Sequence, residues 1–351
     1  MRPAPSHLSL YLAAAYTLLA VYASLHPFSG WRDSGVDPFA FLTGAWPRHW
    51  TGFDLFVNVI AYVPLGFLWV PAGQRRLGRL GAVLLVTLGG ALLSFAMESL
   101  QNYLPSRVPS NVDLGCNSLG ALLGALAGAR WGYQLLDGGR LHDLRMKLFL
   151  HGGMGDAGLV VLGLWLMTQL TPETLLFGNG DLRELLDLPA ALDYSAERFA
   201  QAEAATVCAH TLAVALLATR LGRTPLRLPV LGLVLVALMV KSFVLALSLG
   251  ADHGFAWATY GAGFGFIAGL VFWLIATLLP ARPQQALAAM ALLFATVLVN
   301  LAPDNPYLAN TWQTWNPGQF LNFHGLTKII SSLWPFLALP WLMMLRIERR
   351  T

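Results

Sequence analysis

The chain has 351 residues, of which 56% are hydrophobic and only 11% charged, with a formal net charge of +4. Soluble domains are typically about 25% charged, and a globule this apolar has too little polar surface to face water. That argues against a soluble enzyme, a nucleic-acid binder, a disordered chain or a secreted disulfide scaffold, and makes lipid the expected solvent. The two cysteines, Cys116 and Cys208, lie far apart in apolar segments without metal-ligand spacing. They read as small membrane-helix residues.

A spanning helix needs roughly 20 mostly apolar residues. Ten segments meet this, starting near Leu8, Phe53, Leu80, Asp113, Asp156, Glu203, Pro229, Phe255, Ala286 and Lys328. They end near Leu25, Pro71, Leu100, Trp131, Leu170, Arg220, Leu249, Pro280, Leu301 and Arg346. The expected fold is an all-α, polytopic transmembrane bundle. Residues 1–135 are expected to form a four-helix membrane domain, and residues 136–351 a second membrane region of about six helices.

The basic residues orient these spans. With a cytoplasmic N-terminus, one face carries Arg2, then Arg75, Arg76 and Arg79, then Arg130, Arg140, Arg145 and Lys147. The same face carries Arg220, Arg223 and Arg227, then Arg282, then Arg346, Arg349 and Arg350. Most of the 22 Lys and Arg thus fall on one side, which predicts ten spans with both termini cytoplasmic. The longest outer connection, after the fifth span, holds Glu173, Asp181, Glu184, Asp187, Asp193 and Glu197 and reads as a solvated outer loop. Its Asp181-Leu-Arg-Glu-Leu-Leu run is an alternative interfacial helix.

Polar residues inside spans are expensive and therefore candidates for function. They concentrate in the first third of the chain. Asp54, Asn58 and Tyr62 recur at i, i+4 and i+8 of span two, on one helix face. Asp113 and Asn117 repeat that spacing in span four, and Gly120, Gly124 and Gly128 extend it as a small-residue stripe that admits a close neighbour. Span three ends in Glu98 and Gln101, and the following loop supplies Arg107. The topology brings this set to one outer mouth. Two bland readings compete with a binding site. Asp54 and Asp113 are placed to be N-caps, and Arg107 is placed to tie its loop down as a counter-ion. Capping does not account for Asn58, Tyr62, Gln101 and Asn117, which lie deeper.

The pattern Asp54-x3-Asn58-x3-Tyr62-x-Pro64-Leu-Gly-Phe67, then Glu98-x2-Gln101, then Arg107-x5-Asp113-x3-Asn117-x2-Gly120 resembles the VanZ-like family over about residues 54–128. The stretch from Asn316 to Pro335 is similar to the tail of longer VanZ-like proteins. The resemblance implies a bacterial multi-pass protein of the cytoplasmic (inner) membrane and the cell envelope. It also implies a link to antibiotic resistance, since the family is named for low-level resistance to the glycopeptide teicoplanin. It implies no particular reaction.

Further candidates lie in the second half. Lys241 is placed near mid-membrane, where it is expected to pair, face a cavity, be neutral or snorkel outward. His210 reads as a hydrogen-bonded packing residue. His324 falls in the last outer loop, and Trp312, Trp315 and Trp334 read as an interfacial aromatic belt. No nucleotide-binding, metalloprotease or nucleophile-elbow motif is present. A hard-oxygen metal site from Asp54, Glu98 and Asp113 is disfavoured by neighbouring Arg107, so neither metal nor cofactor is expected.

Three functions fit. The first is a binder or transporter of an anionic or lipid-linked envelope component, such as a membrane lipid or lipid-linked precursor, held by Arg107 with Asn and Gln on its hydroxyls. The second is a membrane enzyme with Glu98 or Asp113 as general base. The third is a structural or assembly protein in which the polar set only locks helices together.

Overall fold

The structure is a computed structural model, and it describes the chain apart from residues 1–7, 27, 45–51, 184, 187, 189–192, 224–226, 304–320 and 346–351. The termini, whose cytoplasmic side the charge pattern predicts, lie outside the described residues, as do Trp312 and Trp315. The architecture is all-helical, without strands among the described residues. The helices are α1 Leu8–Leu25, α2 Gly52–Gln101, α3 Asn111–Ala127, α4 Arg140–Leu148, α5 Gly152–Thr168, α6 Ala196–Leu221, α7 Arg227–Leu249, α8 Tyr260–Ala276, α9 Ala281–Leu301 and α10 Leu321–Met344.

Each of the ten apolar segments falls on a helix. Among the described residues, seven helical stretches are long and apolar enough to cross a membrane: Leu8–Leu25, Arg76–Gln101, Asn111–Leu136, Ala196–Leu221, Arg227–Ala246, Ala281–Leu301 and Gly325–Met344. Helices α5 and α8 are apolar but shorter, at 17 residues each, or about 25 Å at 1.5 Å per residue.

The chain divides into two compact units, one of residues 1–147 with 151–156, the other of residues 148–150 with 157–351. In the first unit α2 carries two predicted spans. It breaks at Gly78, whose φ of 70° and ψ of 173° are not helical. Glycine adopts that backbone without a Cβ clash. Helix α3 packs against the first half of α2, residues 52–77, at backbone contact. A Cβ on Gly120, Gly124 or Gly128 would lie under 3.0 Å from the carbonyl of Val59, Val63 or Phe67 respectively. From the other side, Gly66 meets the Ala121 carbonyl in the same way. Helices without a hydrophobic drive between them associate through such close packing. After α3 the helix widens into a π-type segment, Gly128–Asp137, whose end bonds Gly138 N–H to the Tyr133 carbonyl. Helix α1 is joined to α2 by Tyr16 Oη donating to the Ala61 carbonyl at 2.8 Å and Trp69 Nε1 donating to Thr17 Oγ1 at 2.9 Å.

The second unit is built around α6, whose residues are buried from Ala209 to Ala218. A second glycine stripe, Gly261, Gly265 and Gly269 of α8, sits on the carbonyls of Ala200, Ala204 and Cys208. Trp334 of α10 is fully buried and donates Nε1–H to the Val161 carbonyl at 2.8 Å. That overturns its reading as an interfacial anchor: the indole finds its acceptor inside the unit rather than at a membrane surface.

Candidate functional site

The polar residues of the first unit meet where both halves of α2 face the start of α3. Ser110 is the N-cap of α3, and its Oγ accepts from the N–H groups of Val112 and Asp113. Asp113 is therefore a first-turn residue and not the cap that its position suggested. The Ser110 N–H in turn donates to Glu98 Oε2 at 2.8 Å. Glu98 is buried, at 3% exposure. Its acceptor oxygen faces the positive end of the α3 dipole.

One turn along, Asn58 Nδ2 donates to Asp113 Oδ1 at 2.7 Å and links the first half of α2 to α3. Asn117 Nδ2 donates to Ser94 Oγ at 3.0 Å and links α3 to the second half of α2. Tyr62 is buried between them, within electrostatic reach of Glu98. Tyr62 Oη has the Ser94 hydroxyl as its polar neighbour, and the buried Asn117 Oδ1 makes no hydrogen bond that satisfies distance and angle. Buried polar atoms normally find a partner, so an open amide oxygen in an apolar bundle is informative.

Gln101 and Arg107 do something different. Gln101 Nε2 donates to the Ser24 carbonyl at 2.9 Å, and Arg107 Nη2 to the His26 carbonyl at 2.7 Å and, more weakly, to that of Ala23 at 3.5 Å. Both side chains cap the C-terminal carbonyls of α1, which have no intrahelical partner. Partial burial pushes the Arg107 guanidinium below its ordinary pKa, and the Glu98 charge opposes that shift. The expected set is thus split. Asn58, Tyr62, Glu98, Asp113 and Asn117 form one cluster, and Gln101 and Arg107 anchor the end of α1 beside it. Asp54 lies in the first turn of α2, and its side chain is outside the described residues.

The second unit holds a polar centre that motif reading missed. The connection after α5 is solvated only in its later part, where Leu185, Leu186 and Leu188 are exposed; earlier, Gln169, Thr171 and residues Leu176 to Gly180 are all buried. Phe177 has a φ of 57°, which bulky residues rarely adopt, and its ring packs against Trp165 and Phe266 at centroid distances of 5.3 and 6.0 Å. Side chains of the surrounding helices satisfy the loop's backbone. His210 Nδ1 lies 3.0 Å from the Thr206 carbonyl, and Nε2 lies 3.1 Å from both the N–H and the carbonyl of Asn179; with the proton on Nδ1, the ring donates to Thr206 and accepts the Asn179 N–H. Asn300 donates to the Gly180 carbonyl and accepts from Leu182 N–H. Ser331 Oγ donates to Asn179 Oδ1 at 3.0 Å.

Lys241 of α7 is 1% exposed, and its Nζ donates to the carbonyls of Thr171, Pro172 and Thr174 and to Thr174 Oγ1. It neither snorkels nor pairs directly with a carboxylate among the described residues. His324 lies in the first turn of α10 instead of a loop, and its side chain is outside the described residues. The Gly-Asn-Gly run 178–180 between apolar segments and the buried charge of Lys241 are the sequence signals from which this centre could have been found.

No curated protein and no solved structure matches the chain. The VanZ/LLP1 family matches residues 7–131, which takes in α1 as well as the motif-bearing helices. The first unit of this multi-pass, apolar chain thereby carries a VanZ-like region, residues 7–131, a little over a third of its length.

Proposed function

We propose that the VanZ-like region binds the polar headgroup of a membrane lipid or lipid-linked envelope component at the Glu98 cluster. The observation that carries this reading is the buried, unbonded Asn117 Oδ1, in one cluster with the Tyr62 hydroxyl and the carboxylate of Glu98. A phenol and an amide oxygen together donate and accept, which is the demand of a hydroxyl- or amine-bearing headgroup. The hydrogen bonds of Arg107 to α1 carbonyls favour an anchoring role for that residue over a phosphate grip. The region works in a bacterial cytoplasmic membrane, in a chain of ten spans with both termini cytoplasmic and the cluster towards the outer leaflet. Reporter fusions at the termini and loops test that topology.

Lipids that co-purify with the full chain in mild detergent, identified by mass spectrometry, test the binding reading. Wild type is expected to retain a specific envelope lipid that Asn117→Ala and Tyr62→Phe lose while eluting as folded protein. Identical bulk lipids in wild type and both folded variants overturn it and leave the cluster as a structural lock. Retained lipid that Glu98→Gln binds but no longer converts would assign the site to an enzyme. A role in teicoplanin resistance rests on the family alone, and drug susceptibility of cells with and without the protein tests it.

A further inference from the structure

The second unit gathers four oxygen atoms around Lys241 Nζ, an arrangement that does not depend on the reading of the first. Beyond Thr168 the end of α5 tightens, with Gln169, Leu170 and Thr171 bonding back three residues, and the chain then leaves the helix. The next turn directs the carbonyl oxygens of Thr171, Pro172 and Thr174 and the hydroxyl of Thr174 at one point, 2.8, 3.3, 2.7 and 3.1 Å from Lys241 Nζ. An ammonium has three N–H bonds, yet four oxygens surround it.

All four ligands are neutral. Carbonyls at an unwound helix C-terminus are a familiar donor set for monovalent ions inside membranes, whereas divalent ions call for carboxylates. Glu173 of the same turn acts on the Lys241 charge from a distance and is ion-paired with Lys328 at 3.1 Å.

We propose that the turn Thr171–Thr174 is a monovalent-cation site whose resident cation is the Lys241 ammonium, and that Na⁺, K⁺ or NH₄⁺ enters when this group is removed. The ammonium holds the buried loop closed without drawing on free ions.

The test is thermal unfolding of the purified full chain in sodium, potassium, ammonium and choline chloride at matched ionic strength. Lys241→Met keeps the apolar stem and vacates the Nζ position, and Lys241→Ala vacates more. Wild type is expected to unfold at one temperature in all four salts. The variants are expected to gain about 2–4 °C, saturably, in at least one of the three small cations over choline. Variants that fold but melt alike in all four salts overturn the proposal. Aggregation of both variants in every salt also overturns it, because the free ion then fails to replace the ammonium.

Discussion

Glu98 on α2 accepts the backbone N–H of Ser110, the residue that caps α3. In a capping box the residue three positions into the helix reaches back to that N–H. Here that residue is Asp113, which is engaged by Asn58, and the reciprocal bond comes from another helix. The carboxylate thus fastens the second half of α2 to the start of α3, within the polar cluster.

Removing the Glu98 carboxylate leaves the Ser110 N–H buried without its acceptor. Glu98→Ala is expected to cost about 1–3 kcal/mol. Glu98→Gln keeps an oxygen for that bond and is expected to lose less. Unfolding in detergent measures both, and equal losses would show that the Ser110 bond contributes nothing.

The glycine stripe sets how closely α3 approaches α2. Gly124→Ala places a methyl inside contact distance of the Val63 carbonyl and is expected to destabilise by about 1–3 kcal/mol. Gly115→Ala on the same helix has open space around it and is expected to be neutral or to stabilise by up to about 1 kcal/mol. Opposite signs in melting temperature are the readout.

Asn58 and Asp113 are coupled across two helices. A double-mutant cycle with Asn58→Ala and Asp113→Ala is expected to give a favourable coupling of about 0.6 kcal/mol, below about 2 kcal/mol. A coupling of zero would mean that the 2.7 Å bond is replaced without loss.

Trp334 has its acceptor within the second unit. Trp334→Phe keeps a ring and deletes the bond to the Val161 carbonyl, so it is expected to cost roughly 1 kcal/mol or more in stability. An interfacial tryptophan would lose little, and a melt that does not move would return this residue to the membrane surface.

The positions of the helices were legible in the sequence, because apolar runs of membrane length and their basic flanks are local features. The first helix, Leu8–Leu25, even has the expected ends. Residues that share a helix face were legible too: Asn58 with Tyr62, and Asp113 with Asn117. Which face meets which partner was not. Arg107 and Gln101 match a site motif in type and spacing, yet both bond to the end of α1, more than 70 residues away in the chain. The acidic connection after α5 has the composition of a surface loop, yet much of it is buried.

The sequence by itself therefore determined a multi-helix, lipid-solvated chain, its VanZ-like region and the residue types of its polar cluster. Tertiary structure decided the rest: that Ser110 caps α3, that Glu98 completes the cap, that Trp334 turns inward and that Lys241 sits among carbonyls. The physical reason is that hydropathy and periodicity are summed along the chain, while hydrogen bonds in a water-poor interior are closed between segments far apart in it. A buried polar group takes whichever partner the packing brings within about 3 Å, and no local pattern names that partner.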